Sequence, residues 1–313
     1  MTTPPPGNWY AIANPTAGKG LVRKRWAALQ ERIAQALPVG EFVLSEYRGH
    51  ATELAQRAVE KGYRKILAIG GDGTNHEVAN GILIQRTAPS SAITYALLPI
   101  GTGNDWIKTH GLPRAMNKAL MVIRAGKTTY QDAGLIHYFK DGEPQQRYFV
   151  NVAGLAYDGY IGKKSEERRY ATRNKLFYLI LVVSSLFEYT LQRAVVEGDG
   201  RRIEGHFYTI NLGICRYSGG GMQLAPHAVP DDGQFAVTTA GRISRLGVLL
   251  NTYRFYNGSI GNHPKVETFY AKNLKVEAAD GARPTLLEAD GEFLGETPAR
   301  FSIIQRALCI IVP

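Results

Sequence analysis

A chain of 313 residues, 44% of them hydrophobic and 20% charged, can bury a sizeable core, which excludes disorder over most of its length. The excess of Lys and Arg gives a net charge of +10, which favours an acidic partner such as a nucleotide, a nucleic acid or an anionic membrane. The chain starts without a secretory signal pattern, and its longest apolar run falls short of the roughly 20 residues of a spanning helix, so we expect a cytoplasmic protein.

The first part of the chain alternates short apolar runs with helical patterns, which is typical of parallel β-α units. Buried strands are predicted at residues 9–13, 42–44, 66–69 and 95–100. One amphipathic helix is predicted from residue 21, because apolar residues recur every three or four positions through Leu37. Residues 1–127 are therefore predicted to form a doubly wound α/β nucleotide-binding domain, whose ligands bind beyond the carboxyl ends of the strands.

After residue 127 the pattern changes to period-two strands separated by Gly, Asp and Asn turns. This pattern predicts a C-terminal antiparallel β-sandwich domain over residues 128–313, with the final residues packing back on the first domain. Strands are predicted at 148–152, 193–197, 207–213 and 235–239, and helices at 174–192 and 244–256. Asp199-Gly200 predicts a hairpin turn between two of the strands.

Three glycine-bearing turns follow strands of the first domain, at residues 14–20, 70–75 and 101–105. Glycine backbone and helix N-termini can hold phosphate, and three such turns at one sheet edge favour a single nucleotide site. For any one turn, glycines that only close a strand-to-helix connection are an equal alternative. A P-loop is excluded, because Ala13 stands where that pattern needs Gly and Gly20 where it needs Ser or Thr.

A series of short motifs runs along nearly the whole chain. They are Asn14-Pro15-x-Ala17-Gly18, Gly70-Gly71-Asp72-Gly73-Thr74-Asn75, Leu98-Pro99-x-Gly101-Thr102-x-Asn104-Asp105, Asp132-x-Gly134, Gly219-Gly220-Gly221-Met222, Asp232-Gly233 and Asp290-Gly291-Glu292. In order and spacing they resemble the diacylglycerol kinase-like lipid kinases, which include bacterial diacylglycerol kinases, a phosphatidylglycerol kinase and sphingosine kinases. The resemblance implies an ATP site in a cleft between an α/β domain and a β-sandwich domain, with lipid entering from the β side.

The resemblance also implies the nucleotide and metal contacts, position by position. The nucleotide contacts fall on Asn14, Pro15, Thr16, Ala17, Gly18, Ser45, Gly71, Asp72, Gly73, Thr74, Asn75 and Thr102. A structural Mg²⁺ is implied at the Asp232 carboxylate and the backbone carbonyls of Val229 and Gln234, which are oxygen ligands that suit a hard cation. An ordinary turn is the alternative for this segment. Asp72 and Asp105 are candidates for a catalytic Mg²⁺, and Lys19 or Arg23 for a phosphate contact.

The Asp290-Gly291-Glu292 turn corresponds to the family's catalytic carboxylates, with Glu292 as proton acceptor and Asp290 beside it. An alcohol is a poor nucleophile at neutral pH, so a carboxylate within hydrogen-bond reach removes its proton as the phosphoryl group transfers. Without the resemblance, a solvated turn would be the better interpretation of these residues.

We therefore predict an ATP-dependent lipid kinase that transfers the γ-phosphoryl group to a hydroxyl of a membrane lipid. Diacylglycerol, giving phosphatidic acid, is the default acceptor. Phosphatidylglycerol, monoacylglycerol and sphingoid bases stay open, because the shape of an apolar slot sets selectivity rather than a motif. The alternatives are a soluble-substrate kinase of the NAD kinase or phosphofructokinase group, which shares the 70–75 turn, and a non-catalytic nucleotide- or lipid-binding relative.

A basic stretch precedes the longest apolar run, which covers residues 176–187. Its cationic residues are Lys163, Lys164, Arg168, Arg169, Arg173 and Lys175. This arrangement favours peripheral contact with an anionic membrane, and a buried helix whose approach the charges solvate is an equal alternative. We expect no nucleic-acid partner, and a homodimer is left open.

Overall fold

A computed structural model describes residues 7–101, 103–167 and 175–313, without the side chains of 175–179. Residue contacts divide the chain into two compact units. The first runs to Ala133 and takes in 305–313, and the second covers 134–304. The domain boundary that the sequence predicts, after residue 127, remains a prediction.

The first unit is built on a parallel sheet. Its strands are β1 (Trp9–Ala13), β2 (Val39–Leu44), β3 (Lys65–Gly70) and β4 (Thr94–Pro99). Its helices are α1 (Ala17–Lys24), α2 (Trp26–Ala36), α3 (His50–Glu60), α4 (Asp72–Ile84), α5 (Trp106–Thr109) and α6 (Met116–Ala125). The strands pair in the order β2-β1-β3-β4, so the sheet grows in opposite directions from β1. The prediction of a doubly wound α/β fold is confirmed.

The single helix predicted from residue 21 is wrong, because the structure has two helices that break at Arg25. Arg25 has φ −122° and ψ 25°, outside the helical region, and its N–H still donates to the Leu21 carbonyl. Val22, Leu29 and Ile33 are nevertheless buried in one core cluster with the sheet. The periodicity identified the buried face, but a one-residue backbone break leaves that periodicity unchanged.

The second unit consists mainly of antiparallel strands. They are β5 (Thr128–Lys140), β6 (Glu143–Phe149), β7 (Val152–Ala156), β8 (Gln192–Gly198), β9 (Arg201–Phe207), β10 (Thr209–Gly213), β11 (Tyr217–Ser218), β12 (Met222–Gln223), β13 (Phe235–Ala240), β14 (Val266–Ala271), β15 (Asn273–Ala278), β16 (Leu286–Ala289) and β17 (Glu292–Ile311). Its helices are α7 (Tyr157–Glu167), α8 (Lys175–Glu188), α9 (Arg245–Asn251) and α10 (Tyr253–Asn257). The main strand order is β14-β13-β10-β7-β16-β17. Antiparallel C-terminal strands were predicted, and this part of the fold is confirmed.

The predicted hairpin at Asp199-Gly200 is confirmed by the antiparallel pairing of β8 with β9. Both turn residues have positive φ, 47° and 79°, which the two-residue turn requires. Two strand predictions were wrong in their bounds. The strand predicted at 148–152 joins the end of β6 to the start of β7, and the one at 207–213 is interrupted at Tyr208.

Strand β17 contributes residues to both units, as β5 also does at the division after Ala133. Its part up to residue 304 belongs to the second unit and its remainder to the first. There Cys309 and Ile310 pair in parallel with Thr94 and Tyr95 of β4. Among the described residues, every helix is too short or too polar to cross a membrane.

Candidate active site

The three glycine-bearing turns meet at the carboxyl edge of the first unit's sheet. A Cβ on Gly18 would lie 3.0 Å from Cγ2 of Ile100, so the first turn touches the third. A Cβ on Gly101 would lie 2.7 Å from Cα of Gly71, so the second and third turns approach backbone to backbone. Side chains at these positions would separate the turns, which is a physical reason for glycine here.

The first turn follows β1 and is shaped by Asn14. The Asn14 Oδ1 atom accepts hydrogen bonds from the Thr16 N–H at 2.9 Å and from the Thr16 hydroxyl at 2.8 Å. Gly18, Lys19 and Gly20, which lie within the bounds of α1, are not helical and have consecutive left-handed φ angles of 60°, 60° and 82°. Turns with left-handed residues orient successive backbone N–H groups toward one concavity, which suits an anionic ligand such as phosphate.

The second turn leads directly into α4, whose N-cap is Gly71. The start of a helix of this length presents N–H groups and a positive dipole end, both favourable to phosphate. Thr74 and Asn75 are buried, and Asn75 Oδ1 accepts a hydrogen bond from the Tyr95 hydroxyl at 2.6 Å. Their side chains therefore fix the helix to the sheet, and their backbone remains the part suited to a nucleotide.

Asp72 joins the second turn to the third. Its Oδ1 atom accepts hydrogen bonds from the backbone N–H groups of Asp105 at 2.8 Å and Trp106 at 3.3 Å. Burial raises the pKa of Asp72, and the nearby Asp105 raises it further, while these backbone donors oppose the shift. Asp105 in turn forms an ion pair with Lys108 at 2.6 Å. Both carboxylates thus have structural partners, which weakens the expectation that either is a ready Mg²⁺ ligand.

Ser45 is a further residue of the first unit that was predicted to contact the nucleotide. It directly follows β2, is buried, and its N–H donates to the Ala13 carbonyl beside the first turn at 2.9 Å. The structure therefore brings Ser45 to the same sheet edge as Asn14. Thr102 lies outside the described residues.

In the second unit, Asp290-Gly291 is the turn of the hairpin between β16 and β17. Ala289 pairs with Glu292 across it, and the turn residues have φ angles of 52° and 85°. Such a turn needs positive φ at both positions, which Asp and Gly tolerate best. Glu292 is half-buried at the first position of β17.

The Asp290 carboxylate is held by the connection between β6 and β7. Its Oδ2 atom accepts from the Val150 N–H at 3.0 Å, and its Oδ1 atom from the N–H groups of Asn151 at 2.9 Å and Val152 at 3.2 Å. The N–H groups of residues 150 and 151 are thus bound by a side chain in the connection between the two strands. They also anchor the turn that presents Glu292.

Sequence reasoning missed a pair of buried carboxyl groups behind this turn. Glu288, on β16, accepts a hydrogen bond from the Gly291 N–H at 2.8 Å. Burial raises the pKa of Glu288 well above its ordinary value, and Asp158 on α7 raises it further. Burial also raises the pKa of Asp158 to about 6, against hydrogen bonds from Thr209 and Asn211. The signal for Glu288 was present in the sequence, as one carboxylate in the otherwise apolar run Leu286-Leu287-Glu288-Ala289.

The predicted metal residues lie in an exposed loop before β13. Asp232 Oδ1 accepts a hydrogen bond from the Gln234 N–H at 3.0 Å, and Val229 is exposed. Within the described residues no three side chains of His, Cys, Asp or Glu are grouped to hold a metal. A cation here would depend on one carboxylate and on backbone carbonyls, an oxygen set whose chemistry suits Mg²⁺.

Comparison with known proteins connects both units to one family. Residues 8–136 match the model of the diacylglycerol kinase catalytic domain. Residues 151–312 match that of the YegS C-terminal NAD kinase beta sandwich-like domain. The chain belongs to the diacylglycerol kinase-like lipid kinase family. The family resemblance carried by the motifs is confirmed, and the chain is a kinase.

Relatives of this kinase are similar over nearly its full length. A diacylglycerol kinase of Staphylococcus epidermidis is 29% identical over 311 residues, which cover 96% of this chain and 91% of the relative. A crystal structure of a diacylglycerol kinase from Bacillus anthracis has a TM-score of 0.72 at 22% identity, covering 98% of this chain and 97% of its own. The crystal structure of yeast NADH kinase in complex with NADH has a TM-score of 0.53 at 9% identity, and the match covers 99% of this chain and 84% of the yeast chain. The two structural likenesses concern the fold alone.

Proposed function

We propose that this kinase transfers the γ-phosphoryl group of ATP to a hydroxyl of a membrane lipid, with diacylglycerol as the first candidate and phosphatidic acid as its product. The observation that carries this proposal is the meeting of three glycine-bearing turns at one sheet edge. Gly18 against Ile100 and Gly71 against Gly101 leave backbone, rather than side chains, to face a polyphosphate. The similarity to proteins named diacylglycerol kinase supports a lipid acceptor.

Glu292 is proposed as the general base. As the acceptor oxygen bonds to the γ-phosphorus, its proton passes to the Glu292 carboxylate, and the bond from phosphorus to the β-phosphate oxygen breaks to release ADP. Asp290 is a positioning residue, because both its oxygens accept backbone N–H groups. It holds the turn from which Glu292 projects.

Mg²⁺ is part of the proposal in two places. The Asp232 carboxylate with the carbonyls of Val229 and Gln234 would hold a structural ion, which would rigidify the loop before β13. A catalytic ion would neutralise charge on the transferring phosphoryl group, with Asp72 or Asp105 as candidate ligands or positioning groups. In the alternative without a structural ion, hydrogen bonds within the loop, such as that from the Gln234 N–H to Asp232, shape the turn.

Peripheral contact with an anionic membrane is proposed because the acceptor lies in a bilayer. The structure describes only some of the basic residues on which this expectation was based. Lys164 is paired with Glu188 and lies 4.9 Å from the Tyr160 ring centroid, whereas Arg168, Arg169 and Arg173 lie outside the described residues. In the apolar run, Ile180, Val183 and Phe187 are exposed, whereas Leu181 and Leu186 are buried. In the part of α8 whose side chains the structure describes, residues 180–188, exposed and buried apolar residues therefore alternate around the helix.

The proposed activity is tested with purified protein, labelled ATP and a panel of acceptors in mixed micelles. The panel contains diacylglycerol, phosphatidylglycerol, monoacylglycerol, a sphingoid base and, as a soluble rival, NAD. A labelled lipid that depends on protein and Mg²⁺ is the expected result. Label in NAD with none in any lipid would reject the proposal in favour of the soluble-substrate alternative, and no labelled product with any acceptor would favour a non-catalytic relative.

A further inference from the structure

Helices α9 and α10 form one helical segment that is apolar on two sides. Thr252 between them has φ −55° and ψ −33°, so the chain keeps a helical course from one to the other. On the inner side, Val248 and Phe255 pack against the core cluster of the second unit. This side accounts for the attachment of the segment to the protein.

The outer side carries a second apolar stripe, which we term the α9–α10 face. Its members are Leu246, Leu249, Leu250, Tyr253 and Tyr256. The leucines and Tyr253 stand at positions i, i+3, i+4 and i+7, so they share one helical side. Leu246 and Leu250 are each 66% exposed, and the two tyrosines 55% and 54%. A clustered apolar surface of this kind, unlike single exposed residues, marks an interaction site.

The charged side chains of the segment that carries the face have one sign. Residues 233–266 contain no Asp or Glu, and their cationic members are Arg242, Arg245, Arg254 and Lys265. The Arg254 guanidinium carbon lies 5.4 Å from the centroid of the Tyr253 ring, so this cation stands directly beside the apolar stripe. Lys265 donates to the Arg242 carbonyl at 2.8 Å, which brings a second cation next to the start of α9. An apolar stripe whose own segment carries cations and no carboxylate complements a surface that is apolar inside and anionic outside.

We propose that the α9–α10 face is the surface by which this protein docks on an anionic lipid bilayer, with the leucine and tyrosine side chains entering the headgroup boundary and the arginines contacting lipid phosphates. The inference rests on the proposed lipid kinase function and names a surface for it other than the basic stretch at 163–175. Interfacial helices with an apolar stripe and flanking Lys or Arg bind membranes in this way.

A second copy of the chain is the less favoured occupant. A twofold interface sets the same patch of both copies face to face. Arg245 and Arg254 of one copy would then meet the same cations of the other, with no carboxylate from residues 233–266 to neutralise them. A bilayer that contains anionic lipid supplies the missing negative charge.

The direct test is sedimentation of the full chain with vesicles of phosphatidylcholine alone and of phosphatidylcholine mixed with phosphatidylglycerol. The variant Leu246→Ser/Leu250→Ser changes only exposed side chains of the α9–α10 face. Met121→Ser is the matched control, since Met121 is 71% exposed on α6. We expect the double variant to bind the mixed vesicles at least about tenfold more weakly than wild type, and the control to bind like wild type. Equal binding of wild type and double variant would overturn the inference.

Two further measurements separate the inference from the proposed function. Leu250→Trp should show a blue-shifted emission on mixed vesicles and quenching by brominated lipid, and no change in either would overturn insertion.

Phosphorylation of a short-chain, water-dispersed diacylglycerol should be unchanged in Leu246→Ser/Leu250→Ser, while phosphorylation of vesicle diacylglycerol falls. If wild type phosphorylates lipid and the double variant does so equally in vesicles, the function stands and the docking surface fails. If no lipid is phosphorylated but vesicle binding depends on Leu246 and Leu250, the surface stands and the function fails. A wild-type dimer that the double variant dissolves, without any change in vesicle binding, assigns the face to a second copy instead.

Discussion

Asp290 and Glu292 stand two positions apart, yet their surroundings give them different roles. Asp290 accepts three backbone N–H groups from residues 150–152, and its loss would leave these buried donors without their acceptor. Glu292 begins a strand and is half-buried. We therefore expect substitutions at Asp290 to act through stability and geometry, and those at Glu292 to act through proton transfer.

Glu292→Gln should lower turnover by at least about 100-fold, because the amide cannot accept the acceptor's proton. The nucleotide dissociation constant and the melting temperature should stay close to those of wild type, since the size of the side chain is kept. Glu296→Gln on the same strand is the matched control and should retain activity. Turnover of Glu292→Gln within a few-fold of wild type would remove Glu292 from the role of base.

The buried carboxyl pair predicts a pH dependence of stability. The folded-state pKa of Asp158 is about 6, above the ordinary value of 3.8, so the native state keeps a proton that the unfolded chain releases. This contribution is fully present below about pH 4 and is lost as pH rises through about 6, at no more than about 1.4 kcal/mol per pH unit for one group. The loss should be reduced in Asp158→Asn.

Urea titrations at several pH values measure this effect as the difference between wild type and Asp158→Asn, which cancels the titration of groups that do not interact with Asp158 and leaves that of Asp158 together with the coupled Glu288. Asp280→Asn, at an exposed position, is the control and should follow wild type. Parallel curves of unfolding free energy against pH for wild type and Asp158→Asn would show that Asp158 titrates normally in the folded protein.

At the scale of elements, the tightest backbone approach of α7 to β16 is made at Gly159. A Cβ on Gly159 of α7 would overlap the Leu286 carbonyl of β16, and this atom is backbone that cannot rotate away. Alanine would gain roughly 1 kcal/mol of helix propensity, but such overpacking costs about 1–3 kcal/mol or more. Gly159→Ala is therefore expected to lower the free energy of unfolding.

Gly205→Ala is the matched control for that experiment. Gly205 lies in β9, where a new Cβ would come no nearer than 3.9 Å to Phe207, an ordinary contact. This substitution should be neutral or slightly stabilising, because alanine restricts the unfolded chain. Equal unfolding free energies for the two variants would mean that α7 can shift away from β16 without cost.

Sequence patterns located elements of uniform and of mixed burial, but for the mixed ones they did not identify which side is buried. Strand β1 was predicted with its observed bounds because all five of its residues are buried and apolar. The α9–α10 stripe has a spacing that usually marks a buried face, but there Val248 and Phe255 hold the core and the stripe faces solvent. When a helix is apolar on two sides, the side that is buried depends on how the rest of the protein packs against it. The spacing of its own apolar residues does not identify that side.

In the candidate site, features set by neighbouring residues could be predicted, and contacts between distant residues could not. The turns were predictable, because Asp290-Gly291 and Gly71-Asp72 encode local backbone conformation. The hydrogen bonds that hold their carboxylates were not, since Asp290 is bound by residues near 151 and Asp72 by Asp105 and Trp106. Contacts between residues far apart in the chain produce no motif of fixed spacing by which the sequence could reveal them.

At the scale of the whole molecule, the first unit needs residues from the far end of the chain. Leu308 and Ile310 are fully buried, and the Arg306 N–H donates to Asp132 at 2.7 Å. Ile310→Ala should therefore destabilise the protein by about 2–5 kcal/mol and raise protease sensitivity within residues 7–133. Gln305→Ala, at an exposed position of the same strand, should change neither quantity. Undiminished protection of 7–133 in Ile310→Ala would mean that β4 does not depend on its partner.

The division of β17 between the units has a consequence for synthesis on the ribosome. The edge of β4 cannot pair with Cys309 and Ile310 until residues 134–304 have been made. At about 5–20 residues per second this takes roughly 10–35 s, during which an apolar strand edge stays open to wrong partners. The nascent chain therefore cannot finish its units one after the other, and protection of that edge by a chaperone would matter most before residues 305–313 are available.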